Sequence, residues 1–315
     1  MVMPIKRKIL MAVDGSDQAL EAVRYTSTMV RPEMTEVVLF YVGSGFPEVF
    51  WDLNRNPLYR TKKPKVMGWL ADQQLVIGEF NEKALKILAD AGFAREDITI
   101  KTQTKKTGIL KDIIQESYQD YSAIVMGRTG LSRLKDLLLG SMANKLALKI
   151  KHIPVVVVGG RPVPGKILIA LDESIEAMRG VSCIGALAGG CDCRITLCHC
   201  LHPPTWSPIA GDRQAMARKD PDWVKYNENR FKPYMEEATR RLMEAGTDAG
   251  RIFRDSLFVK GNTIQKIAET AVVGKFGTLV VGRRETASFA EEHFRGRFGK
   301  KLIRSLENIA VWVVG

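Results

Sequence analysis

Short runs that are apolar at nearly every position alternate along the chain with longer stretches in which apolar residues recur every three or four positions. In the first half the runs Ile9–Val13, Val37–Val42, Ile98–Gln103, Ala123–Met126 and Val155–Val158 predict strands, and about Asp17–Met29, Met67–Ala91, Gly108–Tyr118 and Ser141–Ile150 predict helices between them. The second half repeats the strands at Ile167–Leu171, Ile195–Cys200, Ile252–Phe258, Thr278–Val281 and Ala310–Val314. Strands apolar on both faces and separated by helices predict parallel strands covered on both sides. The expected architecture is α/β: two tandem doubly wound domains, each a five-stranded, mostly parallel sheet. Two stretches break the rhythm, 43–66 and 202–230. The second carries Pro203, Pro204, Pro208 and Pro221, and both read as long loops.

The repeat is visible in the letters. KILMAVDGSDQALEAV from Lys8 returns as KILIALDESIEAMRGV from Lys166, and later landmarks keep nearly the same offset: Gly127 with Gly282, Val158 with Val314. The glycines and prolines of GGRPVPG, Gly159 to Gly165, read as a linker. The expected domains are therefore residues 1–160 and 161–315, a division that suits a chain of 315 residues.

Charge and cysteine content narrow the function classes. The net charge is +12, with 23 basic against 17 acidic residues before Arg161 and 24 against 18 from there on, +6 in each half. An even surplus reads as a solvated surface, not as the clustered footprint of a nucleic-acid binder. No apolar run is long enough to span a membrane, and Asp14 interrupts the N-terminal apolar run before a secretory core forms, so a cytoplasmic location is expected. Four of the five cysteines fall within ten residues, Cys191 to Cys200, and are expected as reduced, mostly buried thiols. A zinc site there is disfavoured, because strand alternation sends His199 to the opposite face from Cys198 and Cys200.

Doubly wound sheets bind ligands beyond the carboxyl ends of their strands. Directly after the fourth strand comes Gly127-x2-Gly130-x9-Gly140-Ser141, its last pair opening a helix. Glycines at such a junction let backbone N–H groups approach an anion, and a helix N-terminus stabilises phosphate oxygens. Asp14-Gly15-Ser16, ending the first strand, reads either as a ligand contact or as a turn with Ser16 capping the next helix.

In these motifs the chain resembles the universal stress protein family, specifically its ATP-binding branch, and the resemblance extends over both halves. It implies that Asp14 contacts the nucleoside, that the backbone at Val42 reads adenine, and that Gly127, Gly130, Gly140 and Ser141 hold ribose and phosphates. By the same alignment Ala12, Val13, Met126 and Arg128 line the pocket. The implied ligand is ATP or ADP, with Mg²⁺ on the phosphates and no dedicated metal site. The implied role is regulatory or stress-protective, with no assigned catalytic residue and at most slow hydrolysis. The last strands of the two domains are expected to pair with each other, with a homodimer left open. The second copy keeps Asp172 and Gly282 but has Glu285 where the second glycine belongs, with Gly296 and Arg297 opposite Gly140 and Ser141. A carboxylate there repels phosphate, although Arg283, Arg284 and Arg297 are candidates to compensate. Two alternatives stay open: an enzyme of related fold that cleaves ATP to adenylate a substrate, and a nucleotide-independent scaffold for a protein or nucleic-acid partner.

Overall fold

The computed structural model describes residues 6–43, 63–129, 141–202, 221–259, 262–283 and 306–315. The first half runs β1 (Arg7–Val13), α1 (Asp17–Met29), β2 (Thr35–Gly43), α2 (Lys63–Asp90), β3 (Ile98–Thr104), α3 (Ile109–Glu116), β4 (Ala123–Gly127), α4 (Ser141–Lys149), β5 (Val155–Val158). The second runs β6 (Lys166–Leu171), α5 (Ile175–Ala188), β7 (Arg194–Leu201), α6 (Pro221–Glu244), β8 (Ile252–Phe258), α7 (Thr263–Val273), β9 (Thr278–Gly282), β10 (Ala310–Val314). Among the described helices none is long and apolar enough to cross a membrane.

The ten strands among the described residues join one sheet, in the order β3-β2-β1-β4-β5-β10-β9-β6-β7-β8. Every neighbouring pair is parallel except β5 and β10, which run antiparallel with Val155 opposite Val313 and Val158 opposite Ala310. Each would otherwise be an exposed apolar edge; pairing them satisfies both ladders and leaves β3 and β8 as the outer edges.

The two faces are packed differently. On one, α1, α2, α5 and α6 cover a single apolar core that crosses the seam between halves, from Phe80 and Leu88 to Ile184 and Leu242. On the other, α3 and α4 cover one cluster and α7 with Leu306 and Ile309 another. A buried polar network stitches the continuous face. Tyr25 Oη on α1 lies 2.8 Å from Thr278 Oγ1 on β9 and accepts from Trp312 Nε1 on β10 at 2.7 Å. Burial raises the Tyr25 phenol pKa well above its ordinary value, so it stays neutral.

The two Asp-x-Ser segments fold alike. Asp14 Oδ1 accepts from Ser16 N–H at 3.1 Å, and Ser16 Oγ accepts from Ala19 N–H at 3.1 Å as the cap of α1. Asp172 and Ser174 repeat this at α5, at 2.9 and 3.1 Å. The turn reading of this motif therefore holds in both halves.

Two expectations are corrected. The irregular stretch 202–230 is helical from Pro221 onward, because a proline in the first turn of a helix removes an N–H that has no partner there anyway. Cys191 and Cys193, expected as thiols, are joined in a disulfide, with Cα atoms 5.3 Å apart. The chain bends at Cys191 and Asp192 before β7, which brings the two sulfurs within bonding reach while Asp192 stays exposed and pairs with Arg251. Cys183, Cys198 and Cys200 remain free, and burial pushes the Cys200 thiol up to about 11.

Candidate functional site

In the first half the chain leaves β1 toward α1 on one face and β4 toward α4 on the other, so a crevice opens between the carboxyl ends of β1 and β4. Ala12 pairs with Met126 across β1 and β4. Both side chains, with that of Val42, lie on the face covered by α3 and α4. Val13 points the opposite way, into the core under α1, so only its backbone faces the crevice. The β1–β2 ladder ends at Val13 and Tyr41 while β2–β3 continues to Gly43 and Thr104, which leaves Val42 one step beyond β1, beside the point where Asp14 exits the sheet.

Tyr41, one residue before Val42 and on the other face, was not anticipated. Its hydroxyl donates to Gln73 Oε1 on α2 at 3.2 Å, and its pKa is raised by burial and, secondarily, by the charge of Asp14. A tyrosine next to a predicted strand end was the available clue.

Gly127 has a structural task. A Cβ there would meet the Gln18 carbonyl oxygen at 2.8 Å, so the end of β4 touches the first turn of α1 only because this residue has no side chain. Gln18 also carries the end of β5: its amide donates to Val158 O at 3.3 Å and Gly160 O at 3.1 Å, and accepts from Gly160 N–H at 3.2 Å. The Arg128 N–H donates to Val158 O at 2.8 Å, and the half-buried guanidinium, its pKa lowered by burial, feels the opposing charge of Glu307 from the second half. Ser141 opens α4. Gly130 and Gly140 lie outside the described residues. The structure thus brings together Ala12, Asp14, Val42, Met126 and Gly127, and sets Arg128 near the seam.

The same edge of the second half carries a cavity of about 370 Å³. Its floor is Ala170, Cys200 and Val281, which stand at the register positions of Ala12, Val42 and Met126. Asp172 and Glu173 follow β6 at one wall, and α6 contributes Asn227, Arg230 and Phe231 at another. At the mouth Arg230 Nη2 meets Glu173 Oε1 at 2.6 Å, and His202 Nε2 lies 3.3 Å from Thr263 Oγ1. Gly282 repeats the packing of Gly127, with a Cβ there falling 2.5 Å from Ala177 N.

Arg283, a candidate to balance phosphate charge in this half, is turned elsewhere. Its guanidinium crosses the seam and donates to the carbonyls of Ile150 at 3.2 Å and Leu148 at 3.4 Å, at the end of α4. Cations at a helix C-terminus meet the unsatisfied carbonyls there, which accounts for its burial. Arg284, Glu285, Gly296 and Arg297 lie outside the described residues.

A profile described as the Universal stress protein family matches residues 6–159. The universal stress protein MJ0531 of Methanocaldococcus jannaschii is 30% identical over 155 residues, 48% of this chain and 81% of that protein. YxiE of Bacillus subtilis, also a universal stress protein, is 27% identical over 164 residues, 48% of this chain and 97% of that one. A solved universal stress protein from Archaeoglobus fulgidus shares the fold along the full length, at 17% identity and TM-score 0.53, covering 99% of this chain and 98% of its own. With its strand order, its repeated helix-capping turn and these matches, the chain belongs to the universal stress protein family.

Proposed function

We propose that the first half binds an adenine nucleotide, ATP or ADP with Mg²⁺ on its phosphates, and that the bound state serves a regulatory or stress-protective role in the cytoplasm. The observation that carries this reading is the convergence of Ala12, Val42 and Met126 on one face of the β1–β4 crevice, beside Asp14, with Gly127-x2-Gly130-x9-Gly140-Ser141 following in the sequence. In this reading the small Ala12 and the apolar Met126 floor the nucleoside, the Val42 backbone meets the adenine edge, and Asp14 takes the ribose. The motif residues Gly130 and Gly140 and the start of α4 at Ser141 receive the phosphates, helix N-termini offering N–H groups to an anion. Arg128 is assigned a smaller part, because the charge beside it is Glu307.

Asp14 is the carboxylate that leaves β1 beside the crevice, and its Oδ1 already accepts from Ser16. A carboxylate so engaged is a poor base for water, so ATP turnover is at most slow. The division into domains 1–160 and 161–315 goes with this reading, the second carrying an altered site. Mass spectrometry of nucleotide released from freshly purified protein tests it. ATP or ADP near one per chain in the unaltered protein, and none in Gly130→Glu, is expected; none in either, and no binding on adding ATP with Mg²⁺, sinks it.

A further inference from the structure

The cavity of the second half keeps the positions that face a nucleoside and changes those that would face phosphate. Ala170 and Val281 supply the same apolar floor as Ala12 and Met126, and Asp172 stands where Asp14 does. Gly15 is replaced by Glu173, which brings a carboxylate to the mouth and engages Arg230, the one Arg or Lys among the described lining, where His202 also stands. Arg283, adjacent in sequence to the lining residue Gly282, is committed to the carbonyls of Leu148 and Ile150. In the sequence Glu285 replaces the second motif glycine. The lining therefore offers a phosphate two carboxylates against one guanidinium that is already paired.

What remains is a half-apolar cavity of about 370 Å³, within the range of small-molecule sites, with acceptors at Asp172 and mixed donors and acceptors at Asn227, His202 and Thr263. We propose that this cavity is a binding site for an uncharged nucleoside and discriminates against its 5′-phosphates. The choice of a nucleoside rests on the first-half reading; the rejection of phosphate rests on the charges of this cavity. A chain built this way holds nucleotide in one half and its dephosphorylated counterpart in the other.

Equilibrium dialysis with labelled adenosine and AMP tests this on the full-length chain with and without Thr263→Trp, so that the second-half site is read as the difference between the two. Expected are one adenosine per chain lost with the cavity, and AMP weaker than adenosine at that site by at least about tenfold, since like charges brought together in a site oppose binding. Thr263→Trp, filling the cavity from the start of α7, should remove that adenosine and leave any that the first half holds. Its fold is checked by circular dichroism and by ATP binding. Glu173→Gln should shrink the AMP penalty, because Arg230 is released to meet a phosphate. An adenosine count that a folded Thr263→Trp chain leaves unchanged, or equal affinity of AMP for that site, overturns the proposal. Failure of the first-half reading shows separately, as absence of ATP from the unsubstituted chain.

Discussion

The carboxyl edges of the two halves are built on the same strands and do not carry the same chemistry. Both keep a glycine at the end of the strand, β4 or β9, and both keep Asp-x-Ser as a turn and cap. They part at Gly15 and Glu173, at Val42 and Cys200, and at Gly130 and Glu285. A residue that the fold needs is retained in both copies, while one that only a ligand needs is free to change in one of them. Gly127 therefore belongs first to packing, whatever it later does for a nucleotide, and Gly130 is the sharper marker of the ligand.

The largest expected effect tests that separation. Gly127→Ala and Gly282→Ala each drive a Cβ against backbone of the facing helix, at 2.8 Å from Gln18 O and 2.5 Å from Ala177 N. Overpacking against backbone costs about 3 kcal/mol, more at Gly282 than at Gly127. Gly130→Ala should leave stability within about 0.5 kcal/mol and weaken nucleotide binding. Urea unfolding of the three variants checks it. If Gly127→Ala unfolds like the parent chain and merely loses nucleotide, the distinction between packing and ligand glycine is broken.

Next in size is the seam. Tyr25→Phe leaves Trp312 Nε1 without its acceptor in a site where the Trp312 residue is 2% exposed. A buried donor left unsatisfied costs about 2 kcal/mol, read as a lowered urea midpoint. Because Tyr25 joins α1 to β9 and β10, the loss should appear in probes of both halves. A change confined to one half would mean that the halves unfold independently. Arg283→Met is expected to cost less, about 1 to 2 kcal/mol, by leaving the carbonyls of Leu148 and Ile150 uncapped. Arg128→Met should cost less again, since that half-buried guanidinium faces a charge from the other half and not the end of α4. Equal losses at the two positions would show that the arginines play matching parts.

These contrasts also mark how far the sequence is legible. Strands came within two residues of their observed ends, the inner ones because they are apolar on both faces, and α1 runs Asp17–Met29 as its spacing predicts, with Ser16 capping it. Antiparallel pairing of β5 with β10 follows the same logic of covering an apolar edge. The start of α6 was hidden by Pro221, read as a breaker when it is the first helical residue. Contacts between residues far apart in the chain leave no local pattern. Nothing near Tyr25 announces Trp312, and nothing beside Gly282 announces that Arg283 turns across the seam. The Cys191–Cys193 bond depends on a bend that composition does not encode. At the candidate site the strand-end residues were legible because their positions follow from the alternation of β1, β2 and β4. The polar wall of the second-half cavity was not, because it comes from α6.

The smallest expected effect sets His199 against Tyr41, which occupy the same register in the two halves: His199 opposite Leu171, Tyr41 opposite Val13. His199 is 3% exposed and stacks on Phe231 with ring centroids 4.3 Å apart. Its Nε2 has no hydrogen-bond partner among the described residues. Burial disfavours the imidazolium and holds the folded-state pKa below the ordinary 6.5, although Glu228 on α6 and Asp255 on β8 pull the other way. The unfolded chain therefore takes up a proton as pH falls through the ordinary value, before the folded chain does, and stability declines from there downward. Above that range the group is neutral in both states and contributes nothing to the slope. The phenol of Tyr41, its pKa raised by burial and by Asp14, stays neutral throughout, so this part of the acid sensitivity arises in the second half alone. His199→Phe keeps the stacked ring and removes the titration. Urea midpoints at about pH 7.5 and about pH 5.5 should fall less in the variant than in the parent chain. Parallel slopes would mean that His199 is protonated equally in both states, and that the two register positions do not differ in their response to acid.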